Sequence, residues 1–197
     1  MYTFRSHVNV KGVICLIEEA IVRYCAPTLA GLKTGSIVAV PVCGEEIIHE
    51  IKSLNKRLVK KGLCVMPLKR GTDKTLIYIY RPDQLLRDLK NSLSCRLLQE
   101  KGYCSASPAQ CIFRLMQRLE NVDEFPHEIG LFLGYPAEDV QGFIENKACS
   151  FKLAGCWKVY GNVERALACF EQYKKCTRIY CDCMLKGASI EQLAVAI

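Results

Sequence analysis

Helical periodicity dominates the chain and is interrupted once by a short region of strand-like runs. From Val10 to Tyr24 the apolar positions Val10, Val13, Ile14, Ile17, Ala20, Ile21 and Tyr24 recur at helical spacing, with Asn9 as an N-cap and Pro27 as the end of the helix. Ser36 to Val42 is rich in β-branched residues and reads as a strand that Pro41 pushes toward an edge or a strand end. Glu45 to Lys61 carries Ile47, Ile51, Leu54 and Leu58 on one stripe, begins with acids, ends with bases and is followed by Gly62, the pattern of a helix with a glycine stop. Leu63 to Leu68 and Thr75 to Tyr80 then read as two strands flanking the polar turn at residues 69–74.

This order, strand, helix, strand, strand, has a topological consequence. A crossover containing a helix joins parallel strands and a short turn joins antiparallel ones, so the expectation is a small mixed three-stranded sheet with a helix packed on it. After Pro82 the pattern is helical, with segments expected at 83–90, 93–101, 108–120, 127–133, 137–146, 163–174 and 177–185. Asn91-Ser92, Ser105 to Ser107 and Asn162 supply breaks or caps. Strands early and helices late define the α+β class. With 197 residues, no repeat and no linker-like composition, the expectation is a single domain over residues 1–197, with a mostly helical C-terminal half.

The densest run of local signals is Glu124 to Lys147. Ile129, Leu133, Val140 and Ile144 flank a Gly134-Tyr135-Pro136 break, which predicts two short helices joined by a tight turn, with Glu138 and Asp139 at the positive end of the second. This run resembles a block of the uncharacterised bacterial family known as domain of unknown function 3793. Residues 25–33 (CAPTLAGLK), 78–82 (YIYRP), 157–161 (WKVYG) and 174–177 (KKCT) resemble other blocks of that family in the same order. The resemblance implies a bacterial protein and a domain spanning nearly the whole chain. It implies no activity, so chemistry has to come from the residues.

Composition narrows the classes. No apolar run approaches the ~20 residues of a membrane-spanning helix, and no leader precedes the first predicted helix, so a cytoplasmic protein without a membrane partner is expected. Thirteen cysteines, odd in number and scattered, do not form a disulfide framework, and reduced thiols are the simplest reading of this cysteine-rich chain. The net charge of +7 is concentrated between Lys52 and Lys74, which suits either a nucleic-acid patch or, more plainly, the solvated end of a helix and a turn.

Several residues carry candidate chemistry. His127, with Glu128 beside it at a helix start, suits a metal ligand or general acid–base, against a packed residue bonded to backbone. Cys25 suits a nucleophile or metal ligand, against a small buried hydrophobe whose place at a helix C-terminus disfavours the thiolate. Lys147, Trp157, Lys158 and Tyr160 offer rings and cations for a ligand pocket, against aromatic anchoring of an irregular segment. Cys176, Cys181 and Cys183 offer soft ligands for zinc or iron, though without the paired C-x-x-C spacing. The helix pair around Gly134 also has helix-turn-helix spacing, but the acids on its second helix would face phosphate with like charge, making specific DNA binding unfavourable.

Two functional classes therefore stand. One is a protein that binds a small ligand or metal, or acts as an enzyme, through thiol, imidazole and aromatic groups brought into one pocket. The other is a nucleic-acid- or protein-binding regulatory module using the helix pair or the Lys52–Lys74 region. The first requires the fold to bring His127 within reach of Cys25 or Trp157 across a shared concavity.

Overall fold

In the third strand, side chains alternate between two hydrophobic layers, and this places the sheet at the middle of the molecule. The computed structural model of the protein describes residues 10–103, 107–121 and 125–197, with side chains from residue 16 onward. The expected cap at Asn9, the loop residues 105 and 106, and the side chains of Val10, Val13 and Ile14 lie outside the described residues. The chain begins with α1 (Val10–Leu29), β1 (Gly35–Val40) and α2 (Gly44–Leu58), continued by a 3-10 turn at Val59–Lys61, then β2 (Cys64–Arg70) and β3 (Thr75–Tyr80). The helices α3 (Pro82–Leu89), α4 (Ser92–Glu100), α5 (Pro108–Glu120), α6 (Ile129–Phe132) and α7 (Ala137–Glu145) follow. A hairpin of β4 (Leu153–Ala154) and β5 (Lys158–Val159) precedes α8 (Val163–Leu185) and α9 (Ile190–Leu193).

The sheet order is β1-β3-β2, and both pairings are antiparallel. The sheet is therefore antiparallel throughout, not mixed. The crossover through α2 does leave β1 and β2 pointing the same way, but β3 inserts between them and no parallel pair forms. Ile77 and Ile79 of β3 enter a core with α1, β1, α2 and α9, while Tyr78 enters a second core with α3 to α7. The stripe Ile47, Ile51, Leu54 and Leu58 of α2 is buried as its spacing predicts, at about 1.5–3 kcal/mol for each side chain withdrawn from water. At the end of this stripe Arg57 bonds Glu18 of α1 at 2.5 Å and Glu191 of α9 at 2.6 Å.

Helix ends follow the local chemistry with two exceptions. Asn91, Ser107 and Asn162 cap α4, α5 and α8 through their side chains, and Gly62 and Gly134 take the left-handed conformation expected of helix stops (φ 73° for each). Pro27, however, does not end α1. It sits in the last turn, where its missing N–H removes one bond only, and its carbonyl accepts from Leu32 N at 2.9 Å and Lys33 N at 3.2 Å. The segments expected at 163–174 and 177–185 are one helix, because no glycine or proline lies between them.

Arg81, directly after β3, is 1% exposed. Its guanidinium donates Nε to Thr28 O (2.8 Å), Nη1 to Lys61 O (3.1 Å), and Nη2 to Leu29 O (2.7 Å) and Val195 O (2.8 Å). These carbonyls end α1, the 3-10 turn and the segment after α9, where helix dipoles concentrate negative potential, and burial pulls the guanidinium pKa down. Replacing Arg81 by Met would remove all four bonds and the buried charge, leaving Thr28 O and Leu29 O with one backbone donor each, from Gly31 N and Val195 N, and Lys61 O and Val195 O without the guanidinium; the expected loss in urea unfolding is about 3–5 kcal/mol. Arg81→Lys should recover only part of it, since an ammonium cannot span the same carbonyls. A loss below about 1 kcal/mol for Arg81→Met would show that the cap is dispensable.

Candidate functional site

The helix pair α6–α7 and the β4–β5 hairpin face one another across a cavity of about 350 Å³. One wall comes from α6, α7 and the turn between them, with Ile129, Gly130, Tyr135, Val140 and Phe143. The other comes from the hairpin, with Ala154, Gly155, Trp157 and Lys158, while Phe125 and His127 stand at the exposed rim. The rings form two series. Tyr135 stacks on Trp157 at 5.0 Å between centroids, Trp157 meets Phe170 of α8 edge-on at 4.6 Å, and His127 lies 5.0 Å from Phe143 and 5.6 Å from Phe125.

Asp139 holds the two walls together. The sequence reading placed it on the exposed face of α7, but it is 3% exposed and accepts three N–H bonds, from Trp157 Nε1, Tyr160 N and Gly161 N, each at 2.7 Å. The correction follows from helical geometry. Asp139 is one position before the buried Val140 and four before Phe143, so it borders the apolar stripe instead of opposing it. Glycines allow the close approach. A Cβ at Gly142 would stand 2.4 Å from the Tyr160 ring, and one at Gly155 would stand 2.1 Å from Phe170.

The loop between α7 and the hairpin is strained. Lys147, Ala148 and Ser150 all have positive φ, at 48°, 62° and 57°, a conformation disfavoured for residues with a Cβ. Lys158 Nζ donates to Ala148 O at 2.7 Å, and Tyr160 OH donates to Cys149 O at 2.9 Å, fixing that backbone. The Lys158 ammonium also lies 4.6 Å from the Phe151 ring centre and 5.8 Å from that of Phe143.

Of the residues singled out by sequence, His127, Trp157 and Lys158 line this cavity, and Lys147, Tyr160, Glu128 and Cys25 do not. Lys147 is exposed on the strained loop, and Tyr160 packs behind the wall against Gly142. Glu128 is buried, with Tyr103 OH donating at 2.7 Å and Arg118 Nε at 2.6 Å, which makes it an anchor between helices. Cys25 is fully buried on α1, and burial pushes its thiol pKa up to about 12, partly offset by Lys33 and Ser36. On balance its surroundings favour the protonated thiol, the less nucleophilic form.

Cys176, Cys181 and Cys183 all lie on α8; Cys176 is buried, and the other two pack partly buried against the first core. Among the described residues no group of three or more His, Cys, Asp or Glu side chains gathers as a metal site, and every cysteine with a described side chain is a free thiol. The basic region is likewise divided. Lys52, Lys56 and Lys60 line an open hollow along α2 and the 3-10 turn, Arg57 is tied into ion pairs, and Lys69 donates to Leu119 O at 2.6 Å. No described helix is long and apolar enough to cross a membrane.

Comparison with known proteins agrees with this reading of the blocks. The model of the family described as "Protein of unknown function (DUF3793)" matches residues 21–194, and the chain belongs to that family. No curated protein and no solved structure matches it.

Beside the cavity, Lys33 is a cation in poorly solvated surroundings. Burial lowers its pKa from the usual 10.5, the nearby thiols Cys25, Cys156 and Cys169 pull it back up, and its Nζ lies 5.2 Å from the Tyr135 ring centre. A lowered folded pKa means the unfolded chain binds the proton more tightly. The penalty is therefore full below the folded pKa and disappears as pH rises through 10.5. Lys33→Met should raise the melting temperature at neutral pH, and that gain should shrink between neutral pH and 10.5; a gain independent of pH would contradict the desolvation account.

Asp139→Asn makes a second test. One amide oxygen can keep the two backbone N–H bonds, but the amide NH₂ then faces the indole N–H, donor against donor. The expected cost is about 2–3 kcal/mol with a shift of the Trp157 emission to longer wavelength, and a neutral substitution would remove Asp139 from this role.

Proposed function

We propose that the protein binds a small, planar, largely apolar molecule between the α6–α7 pair and the β4–β5 hairpin. The observation that carries this is the lining. Tyr135, Phe143, Trp157, Phe125 and His127 present rings to one cavity of about 350 Å³, within the range of small-molecule sites, and the single carboxylate there is already saturated. Aromatic walls with few polar groups select flat apolar ligands by dispersion and desolvation. The rings come from segments more than ten residues apart that a buried carboxylate draws together, and the strain at Lys147, Ala148 and Ser150 is concentrated at the same place, as is common at ligand sites.

The enclosing protein, on this reading, is a single-domain bacterial cytoplasmic one. Exposed free thiols at Cys149 and Cys156 fit a reducing compartment. The regulatory reading has less behind it. The α7 helix buries Asp139 and Val140 and presents Glu138 and Glu145 to solvent, so a nucleic acid approaching that face would meet acids.

Saturation-transfer NMR with indole, quinoline and 2-naphthylethanol tests the proposal. At least one of these should receive magnetisation from the wild-type protein. Filling the cavity by Ala154→Trp should abolish the transfer, and Phe113→Ser, which alters an exposed ring of α5 away from the cavity lining, should not. Transfer to none of the three, or transfer unaffected by Ala154→Trp, would overturn it.

A further inference from the structure

The cavity has two charged side chains in its lining, and they differ in a way that bears on the ligand. Asp139 is satisfied by three N–H donors. Lys158 has one hydrogen bond, to Ala148 O at 2.7 Å, and no carboxylate pairs with it among the described residues. An ammonium has three N–H groups, so two remain after that bond.

The surroundings of Lys158 are apolar. The faces of Phe151 and Phe143 lie at 4.6 and 5.8 Å, and the residue is only half-exposed on a strand whose neighbour Val159 is fully buried. Ring faces attract a cation but do not neutralise it. The bond to Ala148 matters for a second reason. It fixes a long, flexible side chain at the cavity wall before any ligand arrives, which lowers the ordering cost of binding. Ala148 itself lies in the left-handed stretch held by Tyr160 OH, so its carbonyl is a firm support.

Resting on the reading of the cavity as an aromatic-ligand site, we infer that its ligand is a planar aromatic carboxylate, with the ring between Tyr135–Trp157 and Phe143 and the carboxylate on Lys158. A carboxylate supplies the missing counter-charge and accepts the remaining N–H groups in a site where water is largely displaced. A neutral ligand of the same shape would leave the ammonium uncompensated. Lys158 is thus a specificity residue, separate from the rings that supply general affinity.

The test is a matched pair, 2-naphthylacetate and 2-naphthylethanol, titrated calorimetrically into the wild type, Lys158→Met and Lys158→Arg. The wild type should bind the acid at least tenfold more tightly than the alcohol, and added salt should narrow the gap. In Lys158→Met the preference should vanish while the alcohol binds as before, which also shows that the variant is folded. In Lys158→Arg the preference should persist. Equal binding of the two by wild type, or a preference that survives in Lys158→Met, overturns the inference and leaves the cavity reading intact. Binding of neither overturns both.

Discussion

A guanidinium enclosed by backbone carbonyls holds this molecule together. Among the described residues no acid pairs with Arg81; its charge is balanced by the carbonyl ends of α1, the 3-10 turn and the segment beyond α9. Thr28 O and Leu29 O each accept one backbone N–H besides the guanidinium, and a carbonyl has room for two donors, so the chain ends and the guanidinium complete each other's hydrogen bonding. Because Arg81 follows β3 directly, the central strand is bound to the helical layer on one face of the sheet, and its backbone N–H to Thr34 O at 2.9 Å ties in the start of β1.

Asp139 plays a parallel part on the opposite side of the sheet. There, too, a buried charge is matched mainly by backbone groups, now N–H donors from a hairpin too short to be stable alone. The carboxylate is the reason that two-residue strands have a defined place, and the aromatic cavity exists because they have one. Gly142 and Gly155 lie where backbone meets the rings of Tyr160 and Phe170, and Gly161 where it meets the Glu138 and Asp139 side chains, so the spacing of the walls is set by the absence of side chains as much as by their presence.

Much of this was legible in the sequence, for reasons that mark where the rest was not. The stripe of α2, the β2–β3 hairpin, the caps at Asn91, Ser107 and Asn162, and the Gly134 turn are local, and local chemistry determined them. The strand order was not local. The pairing of Gly35 with Tyr80 depends on which gap β3 fills, and no spacing rule encodes that. The β4–β5 strands have two residues each, too few to show alternation. At the site, His127 and Trp157 stood out as polar or aromatic groups on irregular backbone and do line one cavity. Cys25 and Glu128 stood out equally, but in the fold the first is an enclosed thiol and the second is matched by Tyr103 and Arg118. Residue type alone cannot separate these outcomes. Asp139 had a usable signal, its place beside Val140 on the helix, that its charge obscured.

The Arg81 junction also sets an order of assembly. All three strands of the main sheet precede residue 81, so the sheet can form while the chain is still being synthesised. Val195, the last of the four acceptor carbonyls in sequence, comes 114 residues after Arg81. Until that residue leaves the ribosome, one flank of the guanidinium must stay hydrated, and α1 and the 3-10 turn are held by an incomplete set of bonds. Closure of the core therefore waits for a segment 114 residues further along the chain, which displaces water from a charge already in place.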